Sequence, residues 1–560
     1  MTAPTSIRPT MSIATVAVPH AANDVGRILR RVVAGALPAV AVSLSLVAVS
    51  ACSTRMSSTA STSATTITNV VIVDGTGAPA RHGAVRLAGD TIVAVGEGVQ
   101  PAVGDSVIDG GGLVLSPGFI DTHSHHDDGL SSTPDARAAV SQGITTIVAG
   151  QDGGHPMPLA ATMDSLIATP PTINVAFYAG HGTLREAVLG ADYKRTATAA
   201  EVDSMRVLLK RELDAGALGL STGLEYDPGI YSSHDEVLQL AKVAAAEGGR
   251  YISHIRSEDR WFWESIDEIL TIGREAKLPV QISHVKLAMI PLWGQADSLR
   301  RVLDRARASG IDVSADIYPY QYWQSTLTVL FPKRDFANRA EAEKILREIA
   351  KPEGLLIGDF APNPAYAGKT VAAIAIERRE APAVTLMALI RDAESLRAKR
   401  TAHEAATGAE NGVVSGTVES VVATSMAEAD IGRLLAWEHT NVCSDGMLDG
   451  PHPRGFGAFP RVLGRYVREQ RILSLEDAVR KMTGLSAQHV GIKRRGTIAP
   501  GQYADLVLFD PTTVADRSTT KAPHLLATGI SRVWVNGREV WRGGAVTAAR
   551  PGRVIRRQMQ

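Results

Sequence analysis

At 560 residues the chain exceeds one ordinary domain of about 100 to 200 residues, but a single barrel of about 250 residues with appendages fits it. Lys+Arg and Asp+Glu both total 58, so no global field draws the chain to nucleic acid or an anionic membrane, and a small-molecule substrate is the default. The only cysteines are Cys52 and Cys443, too few for a disulfide framework, so stability must come from a core or in part from metal.

Arg27, Arg30 and Arg31 precede the apolar run 32–49, which ends in Val49-Ser50-Ala51-Cys52 and passes into Ser/Thr-rich sequence over residues 53–66. Basic, apolar and small-residue regions in that order read as a secretory signal over residues 1–52. Val-Ser-Ala-Cys resembles a bacterial lipobox, which implies lipidation of Cys52 and an exported, periplasmic or cell-envelope protein whose only membrane contact is that anchor. The alternatives are an uncleaved membrane anchor and a twin-arginine signal at Arg30-Arg31. The long stretch ahead of Arg27 points to a translation start downstream of Met1.

Short strands follow at 67–73, 84–87, 91–95 and 106–109, separated by Gly-rich turns, and a matching set appears near the C-terminus at 504–509, 530–535 and 540–541. Residues 67–115 and 491–550 are thereby assigned to one small β-domain. Between them, over 116–490, apolar strand-like runs alternate with helical stretches such as 202–215, 234–247 and 264–275. That alternation predicts parallel βα units closed into a (β/α)8 barrel, with a small β-sandwich domain from both chain ends. The charged, Ala-rich segment 331–422 breaks the rhythm and reads as an inserted helical subdomain, either a lid over the barrel mouth or a decoration without function.

His123 and His125 follow the strand Phe119-Ile120. Residues two apart on a strand point the same way, so both imidazoles can converge on one divalent metal. Asp152, His254, His284 and Asp445 likewise end apolar runs, where barrel enzymes carry their chemistry.

These residues carry a resemblance. Pro117-Gly118-Phe119-Ile120-Asp121-x-His123-x-His125, Ser253-His254, Ser283-His284 and Ser444-Asp445-Gly446, in that order, resemble the amidohydrolase superfamily. The stretches 140–146, 180–185, 216–224, 254–256, 316–320, 461–467 and 478–484 are similar to D-aminoacylases, the N-acyl-D-amino-acid deacylases. The resemblance implies one or two Zn2+ ions, with His123 and His125 on one metal, His254 and His284 on the other and Asp152 between them. The family usually has Asn-Cys-Gly where this chain has Gln151-Asp152-Gly153, so a carboxylate replaces a thiolate ligand. His155 is either a substitute ligand, should Asp152 hang free, or an ordinary loop histidine, and the second reading is preferred.

By the same resemblance, Asp445 is the general acid/base, and Lys286 and Arg454 bind the substrate's α-carboxylate. Tyr318 and Ser325 match accompanying hydroxyl donors, with the register of Ser325 open, and Tyr226 is a further candidate for the pocket. His126, Asp127 and Asp128 are candidates for orienting the imidazoles, and the role of His181 stays open. The implied reaction is zinc-dependent hydrolysis of the acyl amide of an N-acyl-D-amino acid. The alternatives are another C–N hydrolase, such as a dipeptidase or cyclic amidase, and a non-catalytic surface binding protein on the same fold.

Overall fold

A computed structural model describes residues 64–407 and 417–558, with the side chains of 403–407 left out. The candidate signal segment and Cys52 therefore lie outside the described residues. No described helix is long and apolar enough to cross a membrane.

The small domain is one sheet built from both ends of the chain. Strands β1 (Thr65–Ile72), β2 (Arg81–Ala88), β3 (Thr91–Gly96), β4 (Ser106–Asp109) and β5 (Val114–Pro117) come from the first part. They join β18 (Leu506–Phe509), β19 (Ile530–Val535), β20 (Arg538–Arg542) and β21 (Ala545–Val546) through the antiparallel β5–β18 pair. Ile67, Ile72, Val85, Leu87, Leu506 and Trp534 fill a core of its own. Two stretches some 400 residues apart thus close on each other because neither alone can bury its apolar face.

The barrel strands are β6 (Phe119–Asp121), β7 (Ile144–Ala149), β8 (Asn174–Phe177) continued by β9 (Ala179–Gly180), β10 (Gly219–Gly223), β11 (Arg250–His254), β12 (Val280–Ile282), β13 (Val313–Ile317) and β17 (Thr440–Val442). Their ladders run β6-β7-β8 and β9-β10-β11-β12-β13-β17, parallel throughout. The turn is completed beyond the ends of β17 and β6, where the Asp445 N–H donates to His123 O at 2.9 Å and the His125 N–H to Gly446 O at 2.9 Å. Successive strand residues divide between two clusters. Val148, Ala176 and Ile252 pack with one another, whereas Ile147, Val175, Phe177 and Tyr251 pack in the large cluster shared with the helices. A period of two buried on both faces is what a parallel barrel strand requires.

Between β13 and β17 the chain leaves the barrel. The excursion carries helices Arg339–Glu348, Val371–Arg378 and Pro382–Thr407, and also an antiparallel sheet of β14 (Tyr322–Ser325), β16 (Glu419–Thr424) and β15 (Leu355–Phe360). The insertion is therefore not purely helical. Its first strand places Gln324 and Ser325 over the barrel mouth, in the lining of the cavity there.

Candidate active site

All six strand-end residues meet at one end of the barrel. His123 Nε2 lies 3.4 Å from Asp152 Oδ1 and 3.7 Å from Asp445 Oδ1, and His125 Nε2 lies 3.5 Å from each of those carboxylates. On the other side His284 Nε2 is 3.5 Å from Asp152 Oδ1 and 3.1 Å from His254 Nδ1. Asp152 thus faces both histidine pairs. Ligand atoms of His123, His125, Asp152 and Asp445 fall within 4.8 Å of one another, as do those of Asp152, His254 and His284.

The backbone is bent to bring them there. Asp152, His284 and Asp445 have φ of +52°, +34° and +48°, in the left-handed region that costs an L-residue about 1 to 2 kcal/mol each. Neighbouring carboxylates hold these turns. Asp316 accepts the His284 N–H, and Asp121, itself buried, accepts the Ser444 N–H at 2.8 Å and the Ser444 hydroxyl. Gly153, at φ +80°, has no room for a side chain, because a Cβ there would stand 2.9 Å from Gly223 N.

The donor set fits a divalent metal. Both ring nitrogens of His123 and Oδ1 of Asp152 are buried with no hydrogen-bond partner, which in a closed protein interior costs about 1 to 3 kcal/mol per group. Burial works against charge on Asp152, but the imidazoles of His123 and His284 hold it well below the usual carboxylate range. Burial likewise opposes charge on His125, which Asp152 and Asp445 nevertheless hold positive. A site whose carboxylates gather positive charge onto imidazoles suits a cation that would displace those protons. Nitrogen and oxygen donors in this number suit zinc.

Two carboxylates that sequence reasoning passed over orient the inner histidines. Glu225 Oε2 lies 3.0 Å from His254 Nε2 and accepts its ring N–H, while Glu258 Oε1 stands 3.0 Å from His284 Nδ1, a nitrogen that Lys286 Nζ also approaches to 2.7 Å. Both sit just past the ends of β10 and β11, a position rule that also picked out the histidines. His126, Asp127 and Asp128 do not take this part: the His126 ring bonds Ser124 Oγ at 2.7 Å and Gly455 O at 3.1 Å, and neither aspartate bonds an imidazole. Glu225, His254 and Glu258 also cluster closely, but Lys286 Nζ occupies both Glu258 oxygens at 2.6 and 2.7 Å, leaving no room for a further cation there. His155 is away from the cluster, its Nδ1 accepting the Gly180 N–H at 2.8 Å, and His181 is bound to Glu236 beside Arg185.

Five of the six ligand candidates, all but the fully buried His123, border two spaces that share lining residues. A narrow cavity is lined by Lys286, Tyr318, Glu225, Glu258, Asp259 and apolar residues of the insertion. A wider one opens past His125, Asp152, Thr328 and Met447. Tyr226, Ser325, Asp445 and Arg454 border both. Arg454 donates to Asp445 Oδ2 at 2.7 Å, its guanidinium stacks 4.7 Å from the Tyr318 ring centre, and both its Nε and the Tyr318 hydroxyl are buried without partners. Tyr226 packs on His254 with ring centres 4.3 Å apart. All five candidate substrate-binding residues thus line the site, but Lys286 and Arg454 are engaged by Glu258 and Asp445 rather than free.

Residues 106–541 match the family described as Amidohydrolase family. The chain belongs to that family. This amidohydrolase is 37% identical over 510 residues to the N-acyl-D-glutamate deacylase of Alcaligenes xylosoxydans xylosoxydans, covering 87% of this chain and 95% of that one. It is 34% identical over 512 residues to the D-aminoacylase of the same organism, covering 87% and 96%. Among solved structures, the N-acyl-D-glutamate deacylase of Bordetella bronchiseptica, complexed with zinc and a phosphonate mimic of the reaction's tetrahedral intermediate, superposes with a TM-score of 0.75 at 35% identity, over 88% of this amidohydrolase and 99% of that chain. The D-aminoacylase resemblance and the α/β barrel class both stand.

Proposed function

We propose that this amidohydrolase is a zinc-dependent deacylase that cleaves the acyl amide of N-acyl-D-amino acids, releasing a carboxylate and a D-amino acid. The observation that carries the reading is the placement of four imidazoles and two carboxylates beside a cavity that also holds Arg454 and Tyr318. The names of the relatives, aligned over nearly their whole length, support the same chemistry.

His123, His125, Asp152 and Asp445 would hold one metal, and His254, His284 and Asp152 a second. When bound, zinc polarises an amide carbonyl and lowers the pKa of water to about 7. The chain's own residues do the rest. Asp445 accepts the proton of the attacking water and returns it to the departing amine nitrogen, with Arg454 and the loop fixed by Asp121 setting its orientation. Arg454 and the Tyr318 hydroxyl offer donors to the α-carboxylate, and a guanidinium can meet it with two parallel bonds. Lys286 adds positive charge, and Ser325 a hydroxyl from the insertion. Lys286 and Tyr318 open only into the narrower cavity, so the amino-acid part lies there and the acyl group lies toward the wider one. Tyr226 closes the wall over His254 and helps exclude water.

The test is elemental analysis of protein purified from about residue 60, with amine release from paired N-acetyl-D- and N-acetyl-L-amino acids in the same preparation. Near two zincs with D-selective release supports the reading. Metal without release from either series moves the search to dipeptides and cyclic amides, and neither metal nor turnover favours a binding protein on this fold.

A further inference from the structure

The narrower cavity has an uneven charge inventory. Of its carboxylates, Glu258 is held by Lys286 at 2.6 and 2.7 Å, Asp445 by Arg454 at 2.7 Å, and Asp259 by Arg260 at 2.6 Å. Glu225 has no such partner. Its only ion-pair contact among the described residues is His254 Nε2, a neutral N–H donor when the opposite nitrogen holds metal, and it accepts that bond through Oε2. Burial, reinforced by the charges of Asp259 and Glu258 and only partly offset by Lys286, raises its carboxyl well above the usual carboxylate range. The carboxylate nevertheless lines the cavity, with a tenth of its side chain exposed there. Ala288, Trp323, Val329, Leu330 and Ile349 supply an apolar wall beside it. An apolar wall ending at an acid whose positive partner is missing is complementary to an aliphatic stem that ends in a cation.

Resting on the deacylase reading above, we infer that Glu225 sets the side-chain specificity of this enzyme, selecting N-acyl-D-amino acids whose side chain ends in a cation, such as lysine or ornithine. A substrate ammonium there forms the ion pair that the chain itself does not provide. A side-chain carboxylate would instead meet Glu225 with both of the cavity's own cations already committed, so this chain differs in substrate from the relatives named for glutamate and aspartate.

The experiment compares kcat/KM for N-acetyl-D-lysine, its uncharged isostere N-acetyl-D-norleucine, and N-acetyl-D-glutamate, using wild type and Glu225→Gln. Glutamine keeps an oxygen that can accept the His254 N–H and removes the charge. In wild type, lysine is expected to exceed norleucine by about tenfold or more, the size of one partly buried charge-assisted contact, with glutamate lowest. In Glu225→Gln the lysine-to-norleucine ratio should collapse toward one. Norleucine or glutamate turned over as well as lysine, or a ratio unchanged by the substitution, overturns the pocket assignment and leaves the deacylase reading standing. Release from no N-acyl-D-amino acid overturns that reading and this inference with it. The wild-type ratios decide the matter by themselves if the variant does not fold.

Discussion

Asp152→Asn is the most informative single substitution. Asp152 is the carboxylate placed between both histidine pairs, at 3.4 Å from His123, 3.5 Å from His125 and 3.5 Å from His284. Asparagine tolerates the φ of +52° and preserves volume, so the change removes charge and ligand strength without adding the strain that alanine would. A four-ligand zinc site is worth about 10 to 16 kcal/mol, or roughly 3 kcal/mol per ligand, which is a loss of about 200-fold in affinity when one ligand is removed. Because Asp152 faces two sites, both should weaken, and metal and activity should fall together. The assay is zinc per protein after dialysis against a graded chelator, with kcat/KM for an N-acetyl-D-amino acid measured at each step. A variant that retains wild-type metal content and affinity, with an unchanged rate, would refute the bridging assignment.

Four other outcomes are expected. Glu258→Gln leaves His284 and Lys286 without their common carboxylate and should weaken metal binding by about 10- to 100-fold, read by competition with a chromogenic chelator. Arg454→Met should lower kcat/KM by about 100-fold for a free-acid substrate and far less for its α-amide, a split that a purely structural role for the guanidinium would not produce. His155 is buried, which, helped by the charge of Arg211, pulls it down to about 4. Its folded pKa lies below the unfolded value, so the unfolded chain takes up the proton first and stability falls as pH drops from about 6.5 toward 4. The contribution is roughly 1.5 kcal/mol between pH 6.5 and 5, and His155→Asn should flatten that part of a denaturation-versus-pH curve. Finally, the lipobox resemblance at Cys52 is tested by fractionating cells that express the full chain and its Cys52→Ala variant: lipidation predicts wild type with the membranes and the variant without them, and an equal distribution of the two would argue against an anchor at Cys52.

Much of the barrel was legible because its signals are local. Apolar runs end at histidines with strand spacing, and Gly-rich turns mark the terminal strand sets, so strand ends and their candidate ligands can be read in one dimension. The carboxylate at Asp152 in place of a cysteine was visible only against the D-aminoacylase pattern that the chain resembles. The inserted sheet was less legible: β15 and β16 stand some 60 residues apart, and their pairing has no nearby turn to announce it.

The sequence by itself determined which side chains could carry the chemistry and which strand ends carry them, because periodicity and turn residues act within a few positions. Only the tertiary structure decided how those residues are shared. It gave Glu225 and Glu258 to His254 and His284, and committed Lys286 and Arg454 to carboxylates of the chain itself. Such pairings depend on strands brought side by side around the barrel, which also sets His284 within 4 Å of Asp152, 132 positions away, and His123 and His125 within 4 Å of Asp445, more than 300 positions away, and no spacing along the chain encodes which carboxylate will find which cation.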